Sequence, residues 1–233
     1  MNKMIKGVIT KSEKKLLEEL LQDPNIQKFK TDLKSFTLKY MAAMKETETK
    51  LSILNDDFKA RYNRSPIEQI ETRLKTPESL IKKMLRNDIP LTLDSLENNI
   101  FDIAGVRVVC SFISDIFTIV NMIEDNEDIV VLKKKDYITN PKASGYRSFH
   151  MILKVPVYLT TGREEVIVEL QIRTMAMDFW ASLEHKIKYK YDGIIPENVQ
   201  AELVDCANTI AESDKKMMHL SNYVKHLNQE MSF

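Results

Sequence analysis

The stretch Val166-Ile167-Val168-Glu169-Leu170-Gln171-Ile172-Arg173 opens on three apolar residues and from Val168 onward alternates between apolar and polar side chains. A period of two is the mark of a strand with one buried and one wet face. Val166, Val168, Leu170 and Ile172 take one side; Glu169, Gln171 and Arg173 take the other. Three such polar groups are costly to bury unpaired on so apolar a segment. An edge strand with a solvated face satisfies them. So does an inner strand whose polar face does chemistry.

Outward from this segment, the runs 105–112, 129–133 and 148–157 are three further strand candidates, and the alternating segment itself extends over 165–172. Helical patterns fill 114–125 and 173–191. Thr76-Pro77 opens a helix to about Asn87, with Thr as N-cap and Pro in the first turn, and Asp23-Pro24 opens another by the same logic. From Pro196 a last helix carries Val199, Leu203, Cys206, Ile210, Met217, Leu220, Val224 and Leu227 on one face. The fold class expected is α+β: a mixed sheet flanked by helices, with long helices at both ends. The helix from Pro24 carries one apolar stripe (Ile26, Phe29, Leu33, Phe36, Tyr40, Met44, Thr47, Leu51, Leu54, Phe58, Tyr62), roughly 55 Å long at about 1.5 Å per residue. So long a stripe exceeds what a single small domain covers. The expectation is a broken helix, or packing on another subunit.

Composition narrows the function. Among 233 residues, 34 Lys+Arg balance 34 Asp+Glu, so the chain does not coat duplex nucleic acid by charge alone. Only 5 glycines occur, where average usage of about 7% gives roughly 16, and no Gly-rich phosphate loop of the Walker or Rossmann kind is present. Cys110 and Cys206, with a polar, basic stretch over 1–15 and no long apolar run, point to a reducing cytoplasm and no membrane span.

Four clusters can carry chemistry. Arg73 and Lys75 precede the helix capped by Thr76, and Ser79, Lys82, Lys83 and Arg86 share one of its faces. Cations at a helix N-terminus suit a polyphosphate; an ordinary amphipathic helix with a solvated basic face is the plainer explanation of this cluster alone. Asp102 lies just before a strand and Arg107 on it, which suits a Mg²⁺ ligand and a phosphate or base contact. A turn Asp and a surface Arg explain them equally. The third cluster is Lys133-Lys134-Lys135, then Lys142 and Gly145-Tyr146-Arg147-Ser148-Phe149-His150. It offers cations and an aromatic ring for a second nucleotide, or merely a solvated hairpin loop. The fourth is the polar face of the opening segment, where Glu169 facing Asp102 would complete a two-carboxylate Mg²⁺ site and supply a general base.

Taken together, Arg73-Leu74-Lys75, Asp102-Ile103-Ala104-Gly105-Val106-Arg107, Lys135-Asp136-Tyr137-Ile138, Gly145-Tyr146-Arg147-Ser148-Phe149-His150 and Glu169-Leu170-Gln171-Ile172-Arg173-Thr174 stand in the order and spacing of the RelA/SpoT alarmone synthetase domain. The run 176–186 resembles the stand-alone small synthetases of the RelP type. The match spans about 65–195. This resemblance implies a helical extension over 1–64, a synthetase domain over 65–195 with a nucleotidyltransferase-like sheet, and a C-terminal helix over 196–233 that makes an oligomer contact. It implies transfer of the β,γ-pyrophosphate of ATP to the 3′-hydroxyl of GDP or GTP, with release of AMP, in the stringent response.

The same resemblance implies that Asp102 and Glu169 hold Mg²⁺ and that Glu169 takes the hydroxyl proton. Arg73 and Arg107 clasp adenine, and Lys75, Ser79, Lys83 and Arg86 hold the ATP phosphates. Tyr146 stacks on guanine, while Lys135, Lys142, His150 and Gln171 position the acceptor. The long relatives carry His where Asp178 stands, so Asp178 has no assigned role. No His is followed by Asp, so no hydrolase dyad is expected and the chain is expected to synthesise alarmone without degrading it. The small relatives are homotetramers, which would cover both terminal stripes; the alternative has the two terminal helices pack on each other within one subunit. Two rival functions keep the fold: transfer of pyrophosphate to RNA 3′ ends or of a nucleotidyl group, and a non-enzymatic nucleotide- or RNA-binding regulator. Intact Asp102 and Glu169 argue against the second.

Overall fold

In the computed structural model, residues 23–190 and 195–230 are described. The expectations for 1–15 and for the first part of the N-terminal extension lie outside them. Helix α1 (Pro24–Tyr62) leads into β1 (Ile67–Leu74), α2 (Pro77–Arg86), α3 (Leu93–Asn99), β2 (Ala104–Cys110), α4 (Ile113–Glu124), β3 (Val130–Asp136), β4 (Phe149–Leu159), β5 (Gly162–Thr174), α5 (Met175–Lys190) and α6 (Glu197–Glu230). The five strands form one sheet in the order β1-β2-β5-β4-β3. β2 and β5 are parallel and the other neighbours antiparallel.

The alternation read in 166–173 holds. Val166, Val168, Leu170 and Ile172 are buried, and so are their cross-strand neighbours Val106, Val108, Met151 and Leu153. This face packs against α1 and α4 in one hydrophobic core. Thr76 caps α2 as expected, its hydroxyl accepting from the Ser79 amide at 3.3 Å, and Leu80, Ile81 and Met84 on the inner side of that helix are fully buried.

Helix α1 corrects one expectation. It is unbroken, and most of its stripe is covered by the chain's own sheet: Ile26, Phe29, Leu33, Tyr40, Met44, Thr47 and Leu51 are buried against β1, β2, β4 and β5, Phe36, Leu54 and Phe58 are half-buried, and Tyr62 is exposed. Running across four strands gives one subunit enough surface for a long helix. The packing of the two terminal helices on each other is also corrected, because α6 packs on α5 and α4 instead. Its inward side is Ala207 and Asp214, which are buried, while Cys206, Met217, Leu220, Val224 and Leu227 face outward.

Two elements were not anticipated. Strand β1 hides its alternation behind a bulge between Ile67 and Gln69, and only Ile67 is fully buried. Helix α3 is a short turn capped by Thr92, whose hydroxyl accepts from the Ser95 amide at 3.1 Å.

The loop from β3 to β4 is tied to α6. Gly145 sits at φ +86°, and a Cβ there would lie 2.6 Å from the Ala207 Cβ. Alanine at 145 meets both left-handed strain and overlap, an expected loss of about 3 kcal/mol by urea unfolding. Ala207→Gly in the same chain removes the overlap only. The double variant should therefore lose about 1 kcal/mol less than the two singles summed. Strict additivity would contradict the contact.

Candidate functional site: a polar cleft on the open face of the sheet

The face opposite α1 carries the polar halves of the strands. Register places Arg73 of β1 beside Gly105 of β2, and Gly105 beside Glu169 of β5. One step along, Glu71, Arg107, Gln171, His150 and Lys135 line up across all five strands. Because Gly105 has no side chain, a gap opens between Arg73 and Glu169. A cleft of about 440 Å³ lies there, walled by Arg73, Lys75, Asp102, Arg107, Glu169 and Gln171.

Asp102 stands at the entry to β2 and is clamped by two ammonium groups, Lys75 at 2.5 Å and Lys83 at 2.7 Å. Burial pushes its carboxyl up, but the two lysines outweigh burial and hold it below the ordinary carboxylate range. Both lysines sit on Oδ2; Oδ1 is buried with no partner among the described residues. Glu169 accepts from Gln171 Nε2 at 3.1 Å and contacts His150 Nδ1 at 3.1 Å. Burial again raises its pKa, the His150 and Gln171 contacts lower it further than that, and the Asp102 charge opposes them in part. Both carboxylates are therefore ionised at neutral pH. The two carboxylates line the same cleft. The stability they contribute is fully present above a pH of about 4 and is lost as pH falls through their lower folded-state values.

From Glu169 the hydrogen bonds run on. His150 Nε2 meets Tyr146 Oη at 2.9 Å, and Arg173 donates to Tyr146 Oη at 3.0 Å and to Gln171 Oε1 at 2.9 Å. The Tyr146 ring packs edge-on against Tyr137 and His150, with the Lys142 ammonium 4.7 Å from its centre. Asp178 pairs with Arg173 at 3.1 Å and lies 3.5 Å from Arg107, which also donates to Glu71 at 3.0 Å.

Asp102, Glu169, Arg73, Lys75, Arg107 and Gln171 thus come together in one cleft, with Lys83 joined through Asp102 and His150 and Tyr146 through Glu169. Seven expected members are not among the lining residues: besides Lys83, His150 and Tyr146, Lys142 lies against the Tyr146 ring, and three more stand apart. Ser79 is engaged with the Thr76 cap, Arg86 is exposed in the last turn of α2, and Lys135 is exposed on the edge strand opposite His150. Glu71 was missed, and Asp178 was singled out but given no role. Nothing in the periodicity marks them, because they matter only through arginines that the sheet register brings near. Arg173 had a signal, its place on the wet face of the alternation, but no role was given to it.

Paired carboxylates and clustered cations at an open cleft on a mixed sheet are the chemistry that a polyanionic ligand with a divalent cation needs. Residues 72–194, more than half of the chain, match the family model described as the region found in RelA/SpoT proteins. The chain belongs to the RelA/SpoT family. It is 43% identical to the GTP pyrophosphokinase YwaC of Bacillus subtilis over 83% of this chain and 92% of that protein. It is 36% identical to the GTP pyrophosphokinase YjbM of the same organism over 82% and 89%. The crystal structure of the small alarmone synthetase 1 from Bacillus subtilis bound to its product pppGpp is similar at a TM-score of 0.76 and 35% identity, covering 83% of this chain and 98% of that one.

The clamp on Asp102 makes a direct prediction. Replacing Lys75 and Lys83 with Met leaves burial unopposed, so the Asp102 carboxyl should titrate above the ordinary range in ¹³C carboxyl NMR. A midpoint that stays below that range would contradict the assignment of its cause.

Proposed function

We propose that this chain is a (p)ppGpp synthetase that moves the β,γ-pyrophosphoryl group of ATP onto the 3′-hydroxyl of GDP or GTP and releases AMP. The observation that carries this is the convergence of Asp102 and Glu169 at a cleft rimmed by Arg73, Lys75 and Arg107. The names of the relatives YwaC and YjbM agree with it.

Arg73 and Arg107 stand at diagonal register positions flanking Gly105, which favours clasping the planar adenine between two guanidinium groups. Lys75 and Lys83 sit on Asp102 at hydrogen-bond distance and are free to exchange that carboxylate for ATP phosphates. The buried, unpartnered Oδ1 of Asp102 fits a hard cation. Asp102 and Glu169 would hold Mg²⁺, which supplies charge neutralisation of the polyphosphate and a lowered hydroxyl pKa. The acceptor lies toward Tyr146, His150, Lys142 and Gln171. The Lys142 ammonium must leave the ring it now covers if guanine is to stack there. Glu169, ionised before the acceptor arrives, orients the 3′-hydroxyl and accepts its proton. The 3′ oxygen then bonds to the β-phosphorus, and the bond from that phosphorus to the α,β-bridging oxygen breaks. In-line positioning and charge neutralisation do most of the work.

Assembly as a homotetramer is part of the same proposal. The outward apolar face of α6, with Met217, Leu220, Tyr223 and Val224 all exposed, supports a subunit contact there, whereas most of the α1 stripe is covered within the subunit and Tyr62 at its end is exposed. A cytoplasmic location is proposed on the two free cysteines. No helix among the described residues is long and apolar enough to cross a membrane.

Purified chain given ATP, Mg²⁺ and GDP or GTP should release AMP in step with a tetra- or pentaphosphorylated guanosine, resolved by anion exchange. Glu169→Gln should slow this by about 10³-fold while calorimetry still detects ATP binding. ATP left intact with both acceptors would contradict the proposal and direct attention to RNA 3′ ends.

A further inference from the structure

Arg173 is only 4% exposed, yet it carries a full charge on the open face of the sheet. Asp178 is its only ion-pair partner among the described residues, at 3.1 Å from Nη1. The other end of the same guanidinium fixes Tyr146 Oη and Gln171 Oε1. The same Asp178 oxygen lies 3.5 Å from Arg107 Nη1. One carboxylate therefore sits between two guanidinium groups, and these belong to different halves of the cleft: Arg107 to the ATP side, Arg173 to the acceptor side through Tyr146.

The carboxylate is held on a rigid element. Thr174, wholly buried, closes the start of α5: its hydroxyl accepts from the Met177 amide at 3.2 Å and donates to Asp214 at 2.6 Å. Asp178 is in the first turn of that helix. The two links it makes are unequal. The contact to Arg107 is the longer one, and Arg107 already has Glu71 at 3.0 Å. Nε of both arginines is buried without a partner, so neither guanidinium is fully satisfied as it stands. When Arg107 swings onto a bound base, Asp178 is left wholly to Arg173, and the Arg173–Tyr146 contact firms.

We propose that Asp178 is a positioning residue that couples the two nucleotide sites, so that ATP bound against Arg107 sets Tyr146 for the guanine nucleotide. This rests on the synthetase function above. Linkage makes the effect reciprocal: the acceptor must tighten ATP binding by the same factor.

The test is binding without turnover. GDP affinity is measured by calorimetry, with Mg²⁺, in the presence and absence of a non-cleavable α,β-methylene analogue of ATP. In the unaltered chain the analogue should tighten GDP by about tenfold. In Asp178→Asn that ratio should fall toward one, with GDP alone bound more weakly. In Asp178→Glu, which keeps the charge, most of the ratio should return. A merely structural role would lower the melting temperature and leave the ratio alone. A ratio of one in the unaltered chain, or an undiminished ratio in Asp178→Asn, overturns the coupling. Should Asp178→Asn not fold, Arg173→Lys, which keeps the charge but cannot hold Asp178 and Tyr146 together, should also lose the ratio; an unchanged ratio there overturns the coupling equally. Failure of the unaltered chain to bind either nucleotide contradicts the synthetase function itself, whereas binding with a ratio indifferent to Asp178 contradicts only the coupling.

Discussion

The parallel pairing of β2 with β5 is the constraint on which the rest of the cleft depends. In a sheet whose other neighbours run antiparallel, this one ladder sets Gly105 beside Glu169 and Arg107 beside Gln171. A slip of one residue would turn Glu169 and Gln171 into the core and send Val168 and Leu170 to the open face. The hydrophobic face forbids that slip, because Val168, Leu170 and Ile172 are fully buried beneath α1 and α4. The core therefore positions the chemistry: burying one side of β5 fixes what the other side presents. β1 joins from the far edge of β2 and adds Arg73 and Glu71 to the same floor.

Much of the charge in the cleft is paired internally before any ligand arrives. Lys75 and Lys83 rest on Asp102, Arg107 on Glu71 and Arg173 on Asp178. Most of these groups are half-buried, where an unpaired charge is expensive and a paired one is tolerable. In the proposed reaction a polyphosphate would meet cations already in place, and its binding would exchange one set of anions for another. The chain's formal net charge is zero. The same exchange leaves Asp102 with both oxygens available once its lysines turn to phosphate.

The alternating run 166–173 and the Thr76-Pro77 cap were legible because each is a local rule written in adjacent residues: strand pleat in one case, backbone amide capping in the other. β1 was not legible, since its bulge breaks the period of two and an edge strand leaves most side chains wet. The site residues were found as types but not as contacts. Asp102 read as a carboxylate just before a strand and Glu169 as one on a strand's polar face, whereas the clamp of Lys75 and Lys83 on a single oxygen depends on how α2 docks. Glu71 was silent because it acts through Arg107, distant in sequence, and Asp178 drew no role because its link to Arg107 is equally non-local. The long stripe of α1 misled for a related reason. Its length is a local fact, but what covers it is a property of the whole sheet, which is wide enough to take Ile26 through Leu51.

The central claim is that the cleft transfers a pyrophosphoryl group, not a nucleotidyl group, to a free guanine nucleotide. Label position decides this most directly. The chain is incubated with Mg²⁺, GDP and ATP labelled with ³²P either at the β or at the α phosphate, and the products are separated. Pyrophosphoryl transfer predicts that the β label appears in the guanosine product and the α label stays in AMP. An α label in the guanosine product, with the β label released as pyrophosphate, would contradict it.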